Sequence, residues 1–263
     1  MKRPLFLLFF FSLLACDPDL TPPAKAGPGD AAKEVGAGEG PGPTTGDAGD
    51  DEGGTDAGAD VEDDTTGVVT HKIDGDNDFK PGEHFVTSST GNGYEGFIGW
   101  DATFIYVGMS GADVGSGDSK KWLLVYLSGA SGTTTGQKYG ATQQPTLPFS
   151  AEYHVRWKAD GSYTNGQHWG GSSWDDATGL GFVPVAAKKG TFVEMAIKRS
   201  SIGNPTNVKL VMVMINETSG NEWTFSSVPS TAITDGLNPN YAKYFDFDLS
   251  DGVKSPNQYA ALP

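Results

Sequence analysis

The run Lys120–Leu127 reads KKWLLVYL, and after its two lysines every position is apolar. Because successive side chains of an extended strand point to opposite faces, such a run is apolar on both and reads as the central strand of a sheet. Val208–Ile215 (VKLVMVMI) is a second buried run of the same kind. Around these two, strand signals recur. Tyr94–Trp100 and Thr103–Met109 are β-rich runs joined by Asp101-Ala102, a hairpin by spacing. Glu152–Lys158 (EYHVRWK) alternates, with Tyr153, Val155 and Trp157 on one face and Glu152, His154, Arg156 and Lys158 on the other, as in a half-solvated strand. Leu180–Ala187 and Thr191–Ile197 flank the turn Lys188-Lys189-Gly190, and Tyr244–Leu249 is the last strand. No segment sustains a helical period, and the best helical turn is Lys198–Gly203. The expectation is an all-β domain over 68–263, an antiparallel two-sheet β-sandwich, Ig-like or jelly-roll-like in its crossing.

The residues before Val68 are of another kind. Met1–Ala15 carries two basic residues and an apolar run too short to span a bilayer but suited to the core of a signal peptide. It runs into Leu13-Leu14-Ala15-Cys16, which resembles the bacterial lipoprotein box, and this implies lipidation of Cys16. Cys16 is the only cysteine of the chain, so no disulfide forms within it and stability must come from a core. From Asp17 to Gly67 there are 14 acidic residues against two lysines and no aromatic residue. Such a segment has too little apolar surface to offset the entropy of ordering, so a disordered, acidic, self-repelling tether is expected over 16–67. Most of the formal charge of −15 lies there. The remainder has 14 basic and 19 acidic residues with no basic stripe, which argues against nucleic acid. The expected location is the cell envelope, membrane-anchored, at the outer membrane or the periplasmic face of the inner membrane.

Several motifs of the domain occur in a recognisable order: Ile73-Asp74-Gly75, then Gly99-Trp100-Asp101 followed by Ile105-Tyr106-Val107-Gly108, then KWLLVYL, then FVEMAIKRSSIG from Phe192 to Gly203. In this order they resemble carbohydrate-binding module family nine and the related DOMON-like sandwiches, over Thr70–Leu249. Lys198 departs from the pattern, which usually has Pro there. The resemblance implies a β-sandwich that binds a sugar. It also makes KIDGDNDF (Lys72–Phe79) the first strand and turn of the module.

That stretch spaces Asp74, Asp76 and Asp78 as calcium loops do, since oxygens two residues apart can converge on one hard cation. A helix-loop-helix calcium loop would need Gly and Glu where Phe79 and Phe85 stand, so that form is excluded. A calcium ion on the three aspartates stays open as the candidate cofactor. Sugars are held by aromatic faces and planar polar groups, and Gly161–Asp176 (GSYTNGQHWGGSSWDD) is the one long stretch mixing both outside an apolar run. Tyr163, Trp169 and Trp174 are candidate platforms, and Asn165, Gln167, His168, Asp175 and Asp176 candidate hydrogen-bonding groups, in a surface loop. The alternative is that the two tryptophans fold back as plugs. Trp100, Trp122 and Trp157 sit in strand patterns and are expected in the core, with Trp223 undecided.

No nucleophile elbow, zinc-protease helix or phosphate loop is present, and no enzyme is expected. Two other readings remain: a haem-binding electron-transfer module using Met109 with His154 or His168, and an interaction lipoprotein with no sugar site. The expected partners are a polysaccharide or glycan and, through the anchor, a membrane.

Overall fold

The computed structural model describes residues 71–86, 93–136, 143–218, 221–250 and 261–263. The leader, Cys16 and the acidic tether lie outside them. The described residues form two antiparallel sheets that do not close on each other. The first contains β1 (His84–Val86), β2 (Glu95–Trp100), β3 (Phe104–Ser110), β8 (Val185–Lys189) and β9 (Phe192–Lys198), in the order β1-β2-β3-β9-β8. The second contains β4 (Lys121–Thr135), β5 (Thr146–Lys158), β6 (Thr164–Trp169), β7 (Trp174–Asp176), β10 (Asn207–Thr218), β11 (Asn221–Val228) and β12 (Phe245–Asp248). Its order is β11-β10-β4-β5-β6-β7, with β12 also on β10. Strand β10 is long enough to serve three partners. It pairs β4 along one side, and on the other it pairs β12 through Asn207–Leu210 and β11 through Met212–Thr218.

The main core lies between the sheets. Ile98, Ile105, Val107, Met109, Val193, Met195 and Ile197 of the first sheet meet Leu123, Val125, Leu127, Val155, Leu210, Met212 and Met214 of the second, all fully buried. Each such side chain contributes about 1.5–3 kcal/mol by leaving water. Trp100, Trp122 and Trp157 are buried as expected, whereas Trp223 is 48 % exposed. The β2–β3 hairpin turns on Asp101. Its Oδ1 accepts the backbone N–H groups of Thr103 (2.6 Å) and Phe104 (2.7 Å), and its Oδ2 accepts the Tyr106 hydroxyl (2.7 Å). The turn after β9 is a 3-10 helix, Arg199–Ile202, ended by Gly203 at φ 82°, and Arg199 ties it back to the Asp101 carbonyl (2.8 Å).

The second sheet departs from the expectation of a half-solvated strand at Glu152–Lys158. Glu152, His154 and Arg156 are all buried. Beyond Leu127 the β4–β5 hairpin continues through register shifts at Ser128 and Thr133. Gly132 makes that shift sterically feasible, since a Cβ there would meet the Ala151 carbonyl oxygen at 2.4 Å. The extended arm brings Leu147 and Phe149, with Tyr241, over the outer face of the sheet. They form a second core with Trp122, Leu124, Tyr126, Val211, Val213 and Ile215.

Three further expectations are corrected. Lys72–Phe79 is not a strand, because the Asp74 and Gly75 N–H groups donate to the Glu194 side chain (2.7 and 2.6 Å) instead of to a backbone ladder. The strand expected from Leu180 begins only at Val185, after a 3-10 turn at Thr178–Leu180. The supposed loop Gly161–Asp176 holds two strands, β6 and β7, at the edge of the second sheet.

Candidate functional site

Register places the site. Across β4, β5, β6 and β7, the row Tyr126, His154, Gln167, Asp176 lies on the second sheet's outer face, as does the row Leu124, Arg156, Asn165. Tyr163, two residues before Asn165, packs edge-on against Trp122 on the same face (5.5 Å). The turn Gly170–Ser173 closes on a Gly170 N–H to Ser173 carbonyl bond (2.9 Å) and sets Trp169 opposite Trp174. Their rings meet edge to face, 5.8 Å apart at 62°. Six of the eight candidates, Tyr163, Asn165, Gln167, Trp169, Trp174 and Asp176, therefore share one face.

Asp175 does not join them. It pairs with His168, one residue out of phase, so its side chain leaves on the opposite face from Trp174, where the Ser173 hydroxyl donates to it (2.9 Å). Of the two aspartates it is Asp176 that shares the face of Trp174. It accepts the Asn165 amide (2.5 Å) and the Thr178 N–H (2.9 Å), and the Thr178 hydrogen bonds followed by the Asn165 amide hold its carboxyl below the usual range. Neighbouring carboxylates on opposite faces cannot flank one glycosidic bond. His168 Nε2 faces the Glu152 carboxylate (3.0 Å).

The two tryptophans differ in attachment. Trp174 donates from Nε1 to the Thr135 carbonyl (3.1 Å) and lies edge-on over Tyr126 and His154, so it closes the second core. Trp169 rests on Trp174 and is half-buried. Between them and the β4–β5 arm lies a cleft of about 390 Å³, lined by Trp169, Trp174, Thr133, Thr135, Gly136, Gln144, Ser172 and Ser173. None of these side chains is charged.

Arg156 is the residue that alternation along the strand did not single out. Its Nη2 donates to the Tyr163 hydroxyl (2.9 Å) and to Asn165 Oδ1 (3.2 Å), and its guanidinium lies 5.4 Å from the Tyr163 ring centre. Gln167 also donates to Asn165 Oδ1 (3.2 Å). His154 stacks on Tyr126 (4.2 Å, 10°), and burial, then the charge of Arg156, drives its pKa well below the ordinary histidine value, so it is neutral.

The three aspartates of the first turn do not converge. Asp74 pairs with Lys72 (2.8 Å), Asp76 with Lys189 (2.6 Å), and Asp78 with His71 (2.8 Å), each carboxylate drawn to its own cation. No group of three or more acidic, histidine or cysteine side chains suited to a metal occurs among the described residues. Of the two haem pairs, Met109 with His154 is not assembled. Met109 lies in the core between the sheets, whereas His154 is on the far side of the second sheet. Among the described residues no helix is long and apolar enough to cross a membrane.

The chain matches no family model, no curated protein and no solved structure.

Proposed function

We propose that the domain is a non-catalytic carbohydrate-binding module carried on a lipid-anchored protein of the bacterial cell envelope. One observation carries the reading: two indoles set at an angle beside a cleft whose other walls offer hydroxyl and amide groups and no charge. A pyranose presents apolar C–H faces and a rim of hydroxyls, and aromatic faces with neutral hydrogen-bonding groups are its complement. The order of motifs from Ile73 to Gly203 supports the same reading, and the run ending at Cys16 supports the anchor.

The test is polysaccharide binding by affinity electrophoresis of the full chain and of Trp169→Ala. Stacking on one indole contributes on the order of 1–2 kcal/mol, so the variant should bind roughly tenfold more weakly with its thermal midpoint nearly kept. Unchanged affinity in Trp169→Ala would overturn the proposal. For the anchor, Cys16→Ser should abolish incorporation of labelled palmitate, since only the thiol accepts the lipid.

A further inference from the structure

Tyr163, Asn165, Gln167 and Trp169 lie at alternate positions of one extended stretch, so their side chains rise from the same face of the second sheet. Six residue steps separate the two aromatic ends, about 20 Å at the rise of an extended chain. At one end stands the Trp169–Trp174 corner. At the other, Tyr163 is 36 % exposed, yet it is not a loose side chain. Trp122 supports it edge-on, and Arg156, itself nine-tenths buried, holds its hydroxyl at 2.9 Å. Between the ends lie the amide of Asn165 and the carboxylate of Asp176, tied to each other.

The indoles meet at 62°, so they form a corner and not a parallel clamp. A sugar seated there has one face on an indole and is free to continue into a chain. A second fixed aromatic surface on the same face gives that chain somewhere to go.

We propose that the ligand is a linear oligosaccharide lying along β6, from the Trp169–Trp174 corner to Tyr163, and that Arg156 is the positioning residue that holds the distal platform. The inference rests on the sugar-binding reading above and adds the direction, length and second platform of the site. A single sugar would fill the corner and leave Tyr163 untouched.

The full chain is titrated calorimetrically with linear oligosaccharides of glucose, xylose, mannose and N-acetylglucosamine, each from the single sugar to the hexasaccharide. For the glycan that binds, affinity should rise with chain length. Tyr163→Ala should lose about five- to tenfold in affinity for the longest member and nothing for the single sugar. Tyr163→Phe keeps the ring on Trp122 but loses the hydroxyl that Arg156 holds, so it should bind the single sugar as the parent does and lose part of the gain with length, whereas a gain kept in full would overturn the positioning role of Arg156. Trp169→Ala should weaken binding at every length. An affinity that does not rise with length overturns the extended site. So does a Tyr163→Ala variant that binds all lengths like the parent, or that weakens the single sugar as much as the hexasaccharide. If no member of the series binds, or if Trp169→Ala binds as the parent does, the sugar-binding reading itself falls and takes this one with it.

Discussion

His71 sits with its side chain 1 % exposed between two carboxylates, Asp78 at 2.8 Å and Glu83 at 3.3 Å. Its ring stacks on Phe79 (4.3 Å) and meets Tyr106 edge-on (4.8 Å). The fit requires a glycine beneath, because a Cβ at Gly99 would come within 2.7 Å of Glu83 Oε1 and 2.8 Å of His71 Nε2. Burial alone would lower the pKa of the imidazole. The hydrogen bonds to Glu83 and then Asp78, with the charges of both, outweigh it and hold the pKa above the ordinary histidine value. A folded-state pKa above the unfolded one means stability that is fully present below about pH 6.5 and is lost as pH rises through the folded value. Thermal midpoints of the parent and His71→Gln should therefore differ most near pH 5, and the gap should narrow steadily on the alkaline side. A gap that stays constant or widens with pH would show that His71 is neutral in the folded protein. Glu194 acts in the same direction. Burial raises its carboxyl more than the Gly75 and Asp74 N–H groups lower it, so its protonation favours the folded state and that contribution is lost as pH rises through the folded value.

At the scale of elements, the long β4–β5 hairpin does most to build the site. By folding over its own sheet it covers the outer face, supports Trp174 through Thr135, and forms one wall of the cleft. Phe149 lies under that arm and is 5 % exposed. Its truncation to Ala should cost about 3–5 kcal/mol, the range for buried aromatic residues, where a surface phenylalanine would cost little. Chemical denaturation of the variant measures this, and a loss below about 1 kcal/mol would mean that the arm is not part of the core. The central strands were legible because their sequences are apolar on both faces, as in Leu123–Leu127 and Leu210–Ile215. The second core was not, since Leu147, Phe149 and Tyr241 fold over the sheet from other segments, while Trp174 packs on His154 and Tyr163 on Arg156, and a local alternation carries no trace of such distant cover. The same limit hid β6 and β7. Their Gly, Ser and polar residues read as loop, and it is pairing with β5 that makes them strands. The aromatic and amide residues of the site were legible by type, but which of Asp175 and Asp176 shares the face of Trp174 depends on register, and composition does not encode it.

For the whole molecule, the two cores are built from residues after His71, and the acidic stretch from Asp17 to Gly67 has no aromatic side chain to add to them. Deleting that stretch from a soluble form should leave the thermal midpoint within about 4 °C of the parent, roughly 1 kcal/mol for a domain of this size. A larger fall in a melting curve would show that the stretch docks on the domain. The strand order has a further outcome in time. The first sheet is joined at its centre by the pairing of Ile105 with Ile197, and β10 joins the second through the pairing of Leu124 with Val213. Neither seam can close until the chain has been made as far as β9 and β10, so the fold cannot be completed from its N-terminal strands alone. Contacts this distant in sequence also slow the search for the native state, typically to milliseconds or seconds. The two sheets thus stay incomplete until most of the sequence exists, and a chain with an incomplete core is easier to thread through a membrane behind the leader proposed for residues 1–15.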